Sequence, residues 1–174
     1  MMTSPDKITG ERGSFRDRNN QVFCVGNQIL RGISEKALKD WQALERSRAY
    51  EKYMKAGNIV ATKLVGEDIF QLYPDELQAW CACLEHERIP FVNYVYEWCF
   101  EMLKDAALLR LDLLDEGLHE NMIIKDASVF NIQFLGAKPV FIDIPSFERY
   151  DPGTPWIGFR QFCQHFLYPL MLQA

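Results

Sequence analysis

No uninterrupted apolar run in this sequence approaches the length that crosses a bilayer, and the N-terminal stretch MMTSPDKITGERGSFRDRNN has no apolar centre of the kind a secretory leader needs. These absences predict a soluble chain with no membrane partner. An excess of basic charge is missing too: 19 Lys and Arg against 24 Asp and Glu leave a formal net charge of −5, and the basic residues are scattered. A nucleic-acid partner is therefore not expected. The five cysteines, Cys24, Cys81, Cys83, Cys99 and Cys163, are odd in number, sit mostly in apolar segments and lack the spacing of a secreted disulfide framework. A reducing, cytoplasmic setting follows. Internal repeats and low-complexity tracts are absent after the polar first dozen residues.

What the sequence does hold is core-forming material: 48% of its 174 residues are hydrophobic and 13% aromatic, enough for one domain or two small lobes. Residues 1–12 are polar and predict a flexible N-terminus, so the fold starts near Gly13. In QVFCVGNQILRGI two β-rich runs flank Gly26 and Asn27, residues that tolerate the left-handed backbone of a tight turn, which predicts a hairpin. Ser34 reads as a helix N-cap and Gly57 with Asn58 as a stop. One amphipathic helix to about Ala56 is expected between them, laid on the ribbon through Ala37, Leu38, Trp41 and Leu44. Another helix is expected from Asp75, after Pro74, to about Glu87, and RIPFVNYVY then reads as an extended connector strand.

From Glu97 to Leu118 the polar positions Glu97, Glu101, Lys104, Asp105, Asp112 and Asp115 recur three or four apart, the pattern of a helix buried on most sides. After a loop, NIQFLGAKPVFID predicts a second hairpin, turning over Leu135 to Lys138 and ending at Asp143. Beyond the turn-rich PSFERYDPGTP, Trp156, Phe159, Phe162, Phe166 and Leu170 fall at helical spacing. So apolar a helix at the end of the chain predicts that the natural protein continues and that this is a fragment.

Phosphoryl transfer from ATP calls for an acceptor-side base, hard oxygen ligands for Mg²⁺ and a cation on the phosphates. In IIKDASVFNIQF the loop carries Asp126 and, five residues on, Asn131, and the hairpin then returns Asp143. Carboxylates and an amide in that order can send Asp126 toward an acceptor hydroxyl and Asn131 with Asp143 toward a metal.

The succession of buried helix, KDASVFN, short hairpin and FID resembles the catalytic half of the protein kinase-like fold, in the form shared with aminoglycoside phosphotransferases. Upstream, GSFRDRNNQVFCVGNQILRGI is similar to that fold's first strands. The resemblance implies an α+β architecture. A small lobe of β-ribbon and helix would occupy residues 13–95, ending in the hinge RIPFVNYVYEW, and a truncated, mainly helical lobe with a hairpin would occupy 96–174. It implies ATP and Mg²⁺ as cofactors. Gly13 and Ser14 would then lie over the phosphates, Arg31 would replace the family's Lys, and Glu51 would pair with it from the following helix. Asp126 would be the catalytic base, Asn131 and Asp143 the metal ligands, and a small molecule or protein the acceptor.

More closely, RIPFVNYVYEWCFEMLKDAALL, KDASVFNIQF, PVFIDIPSFERY and PWIGFRQFCQHFLYPL resemble the N-terminal region of bacterial proteins known as class I SAM-dependent methyltransferases, nodulation-protein-like members included. In those proteins the methyltransferase domain lies downstream, so S-adenosylmethionine is expected only there. No glycine-rich strand-to-helix turn of the Rossmann type occurs in this sequence.

Several positions depart from an active kinase. Only Gly13 and Gly26 punctuate the phosphate-loop region, and Arg31 offers a planar fork in place of an ammonium point charge. Ile124 stands where a His precedes the base, and Ile144 and Pro145 follow Asp143 in place of Phe and Gly. These departures raise a second expectation, a noncatalytic pseudokinase or scaffold serving the downstream domain. Plainer roles stand beside both: Asp126 with Ser128 capping a turn, Asn131 bonding its own loop, Arg31 and Glu51 as surface charges. Cys81, Cys83 and His86 lack the paired-Cys pattern of structural zinc sites. Cys163 and His165, two apart on a helix, point in different directions, against a thiol nucleophile with its base.

Overall fold

The computed structural model describes residues 7–15 and 17–174; of the N-terminal segment expected to be flexible, residues 1–6 lie outside the described residues. Along the chain run β1 (Ile8–Gly10), a 3-10 turn (Arg12–Phe15), β2 (Asn20–Val25), β3 (Gln28–Ile33), α1 (Glu35–Glu45) and α2 (Arg48–Lys55). Then come β4 (Thr62–Leu64), α3 (Asp68–Leu72), α4 (Pro74–Leu77), β5 (Ala82–His86) and a 3-10 turn at Val95–Glu97. The remainder is α5 (Phe100–His119), β6 (Met122–Ile124), a 3-10 turn (Val129–Asn131), β7 (Ile132–Leu135), β8 (Lys138–Phe141), a 3-10 turn (Ile144–Ser146) and β9 (Phe147–Arg149). A last helix is built from α6 (Phe159–Phe162), a π turn (Cys163–Leu167) and α7 (Tyr168–Gln173). Among the described residues no helix is long and apolar enough to cross a membrane. The chain is α+β and divides into two compact units: the described residues up to Lys39 with Ala61–Arg88, and Asp40–Val60 with Ile89–Ala174.

The first unit is a five-stranded antiparallel sheet in the order β1-β2-β3-β5-β4. Its hairpin turns where expected, with Gly26 at φ 54° and Val25 paired to Gln28, because glycine, lacking a Cβ, takes that backbone at no steric cost. One face is closed by α3 and α4: Ile8, Phe23, Val25, Leu30, Ile69, Tyr73, Leu77 and Cys83 form its core, with Trp80 packed against it. Here the expected helix from Asp75 to Glu87 is corrected. Only Pro74–Leu77 is helical, and Ala82–His86 is a strand paired with β3 on one edge and β4 on the other. β5, flanked on both edges, is buried along its length apart from the partly exposed Glu85 and shows no inside-outside alternation, so its pattern does not separate it from a short buried helix.

In the second unit, α5 carries Leu103, Ala106, Ala107, Leu109, Leu113 and Leu114 into the core and touches α2, β6, β8, the π turn and α7. The single helix expected from Ser34 to Ala56 is two, and residues 40–60 belong to this second unit rather than to the ribbon. Ser47 breaks it: at ψ 145° its Oγ accepts from Tyr50 N (3.0 Å), and the Glu120 carboxylate accepts from Arg48 N (2.9 Å) and Ala49 N (2.7 Å). A buried serine and a carboxylate from a distant segment thus cap α2. The stop at Gly57 stands, with φ 69°. RIPFVNYVY forms no strand among the described residues; Asn93 N donates to Gln133 Oε1 (3.0 Å) and Tyr94 N to Glu97 Oε2 (2.7 Å), closing a 3-10 turn.

Candidate functional site

In the second unit, α5 hands over to β6 through Asn121, whose φ of 57° reverses the chain. β6 pairs antiparallel with β9, Ile124 opposite Phe147, and Lys125 N donates to Ser146 O (2.9 Å). The two ends of the site segment, before Asp126 and after Asp143, are therefore braced together. Five successive amides of the loop, Ala127 to Asn131, are engaged. Ala127 N donates to Gln161 Oε1 (2.8 Å), Ser128 N to Asp126 Oδ1 (2.7 Å), Val129 N to His165 Nδ1 (3.3 Å), Phe130 N to Ser128 Oγ (3.3 Å) and Asn131 N to Ser128 O (3.2 Å). Trp156 Nε1 donates to Ile124 O (2.7 Å). A loop so fully hydrogen-bonded is held in one conformation.

The β7–β8 hairpin turns at Gly136 (φ 62°), as expected, and Ile142 N donates to Asn131 O (2.9 Å). That return brings Asp143 to Asn131, whose Nδ2 lies 3.5 Å from Asp143 Oδ2. Asp126 and Asp143 are both partly exposed. After Asp143 the chain enters the Ile144–Ser146 turn, where Ser146 N (3.0 Å) and Oγ (2.9 Å) both donate to Asp143 O. Phe130 stands 64% exposed at the loop's tip, edge-on to the His165 ring.

Beneath the loop lies Arg110 of α5, fully buried, its Nη2 donating to Ser128 O (3.2 Å) and its guanidinium 4.6 Å from the Phe141 ring centroid. Burial pushes its pKa down to about 10, and Asp126 and Asp143 act the other way, so it stays cationic at neutral pH. Arg110, Gln161 and the loop-holding role of His165 were missed by sequence reasoning. One signal was present: Arg110 falls on the line Leu103, Ala106, Ala107, Leu113, Leu114, Gly117, a charge placed on the apolar face of a buried helix.

The other candidates sit as follows. Glu51 lies on α2, 59% exposed, where ion pairing with Lys55 one turn on holds its carboxyl below the ordinary value. Arg31 lies on β3 of the first unit, buried, with Nη1 donating to Asn20 Oδ1 (3.3 Å). Gly13 and Ser14 lie in the turn between β1 and β2. Ser14 Oγ accepts from Val22 N (2.8 Å), while a Cβ added at Gly13 would meet nothing nearer than Glu11 Oε1 at 3.9 Å. The thiol of Cys83 is buried on β5, Cys81 is exposed, and the buried His86 bonds Thr62 Oγ1 through Nδ1 (2.8 Å). Among the described residues no group of three His, Cys, Asp or Glu could hold a metal ion.

The fold and the site define an α+β protein in which a loop and the hairpin after it bring Asn131 and Asp143 together. No family model matches the chain. It is 36% identical over 166 residues to the nodulation protein NoeA of Rhizobium meliloti (strain 1021), an alignment covering 93% of this chain and 33% of that protein. The chain spans about a third of the length of this curated relative.

Proposed function

We propose that the Asp126, Asn131 and Asp143 cluster is a site for a Mg²⁺-bound nucleotide in a kinase-like module. Asn131 and Asp143 hold the ion, and Asp126 faces the hydroxyl of a small-molecule or protein acceptor. The observation that carries this reading is the return of Asp143 to within 3.5 Å of Asn131, twelve residues apart in sequence, beside a loop whose amides from Ala127 to Asn131 are engaged. Preorganised oxygen groups are what phosphoryl transfer asks of a protein. The donors suit Mg²⁺, which takes one or two carboxylates and completes its shell with phosphate and water, so a cage of three carboxylates is not needed. When bound, the ion would neutralise charge on the phosphates. The strand order of the first unit supports a kinase-like fold, with Arg31 on the third strand and Gly13 and Ser14 between the first two. The nucleotide roles of Gly13, Ser14, Arg31 and Glu51 come from the resemblance alone.

Thermal melting with and without Mg²⁺ and ATP or ADP tests it. At a ligand concentration a hundred times Kd the gain is about 2.7 kcal/mol, a rise of about 5 to 10 °C for a chain of this size. A rise that needs the metal and disappears in Asp143→Asn is expected; an unchanged midpoint in folded wild type sinks the reading.

A second reading is favoured by the surface pairing of Glu51 with Lys55, the open surroundings of Gly13 and the proline turn after Asp143. In it the module is noncatalytic and serves the remainder of a longer protein acting in nodulation, as its relative's name suggests. S-adenosylmethionine would then bind in a methyltransferase domain outside these residues.

A further inference from the structure

The buried face of α5 holds a single charge. Arg110 is 0% exposed, Nη2 is spent on Ser128 O, and Nε and Nη1 have no hydrogen-bond partner among the described residues. Ser128 follows Asp126 by two residues and Phe141 precedes Asp143 by two, so one guanidinium touches both segments that carry the site's carboxylates. A cation withdrawn from water costs more than an aliphatic side chain of similar size unless opposite charge lies close by. Here both Asp126 and Asp143 favour its charged form. Packing alone would be better served by Met or Leu, as it is at Leu103 and Leu113 on the same face.

We propose that Arg110 is a positioning residue, a built-in counter-cation that keeps the Asp126 and Asp143 segments assembled against each other before any metal or nucleotide arrives. Its functional meaning rests on the site reading above, whereas the coupling itself can be measured with no ligand present.

The test is a double-mutant cycle of urea midpoints in chelator, over Arg110→Met, Asp126→Asn, Asp143→Asn and the two Arg–Asp doubles. Arg110→Met is expected to lower the midpoint by about 1 to 2 M, and an added Asp→Asn change to recover about half of that loss, since the carboxylate no longer needs its cation. Arg110→Lys, which keeps the charge, should retain most of the wild-type midpoint. Strictly additive losses, with Lys no better than Met, overturn the proposal. Should Arg110→Met not fold, Arg110→Gln keeps a donor for Ser128 O while losing the charge, and the same recovery or additivity is read from it. Coupling without any Mg²⁺-nucleotide shift would remove the site reading and leave the counter-cation standing. A nucleotide shift with additive losses would do the reverse.

Discussion

Gln161→Leu isolates the rigidity of the Asp126–Asn131 loop without touching any candidate ligand. Gln161 Oε1 accepts the amide of Ala127, a residue that is 0% exposed, at 2.8 Å. Leucine fills a comparable volume but accepts nothing, so the substitution leaves a buried N–H without its partner at a cost of about 1 to 3 kcal/mol. For a chain of this length that corresponds to a melting midpoint lower by about 2 to 12 °C. If the cost is local, native-state hydrogen exchange at Ala127 should accelerate by about 5- to 150-fold, each 1.4 kcal/mol being a factor of ten. The neighbouring amides of Ser128 and Val129 should follow, because Val129 N is held by the same helical segment through His165. Gln161→Glu, which keeps an acceptor at the same reach, should retain most of the protection. Unchanged exchange at Ala127 together with an unchanged midpoint in Gln161→Leu would refute the clamp, and with it the claim that the site is preorganised.

The remaining predictions concern the first unit and the thiols. Gly32→Ala would place a Cβ 2.4 Å from the Trp80 ring, so it should cost about 1 to 3 kcal/mol in urea unfolding and shift the emission of Trp80; a neutral result would show that the ring relocates freely. His86 is held neutral, its pKa well below the ordinary value through burial and then the nearby Arg31 charge. The unfolded chain therefore binds the extra proton first: this contribution is fully present above the unfolded pKa of about 6.5 and is lost as pH falls below it. His86→Gln should flatten the pH dependence of the urea midpoint between pH 7 and 5, and identical slopes would count against it. Burial pushes the Cys83 thiol up to about 11, whereas Cys81 and Cys99 are exposed. Native protein should expose those two to a thiol reagent within minutes and shield Cys83 and Cys163 until it unfolds; fast labelling at Cys83 would contradict the central position of β5.

Elements governed by neighbours in sequence were legible from the residues. Gly26 and Asn27 marked one hairpin and Gly136 sits in the other, because a tight turn is paid for locally by residues that accept positive φ. Ser34 capped α1 through Ala37 N (3.3 Å), and the periodicity of α5 located a helix buried on most sides. The order and spacing of Asp126, Asn131 and Asp143 were likewise visible, as was the turn in which Asp126 receives Ser128 N.

Tertiary structure alone decided the rest, and in each case a partner distant in sequence set the outcome. β5 is a strand because β3 and β4 supply its hydrogen bonds on both edges, which overrides a segment whose local pattern suits a helix as well. The break before α2 needs Glu120, about seventy residues away, to receive the amides of Arg48 and Ala49. Gln161 and His165 take the amides of Ala127 and Val129 only once the last helix is in place, and Arg110 finds Ser128 only when the loop lies over α5. Composition and periodicity encode what a residue prefers among its neighbours; the partner of a buried polar group is set by packing, where leaving it unmatched costs more than any local preference.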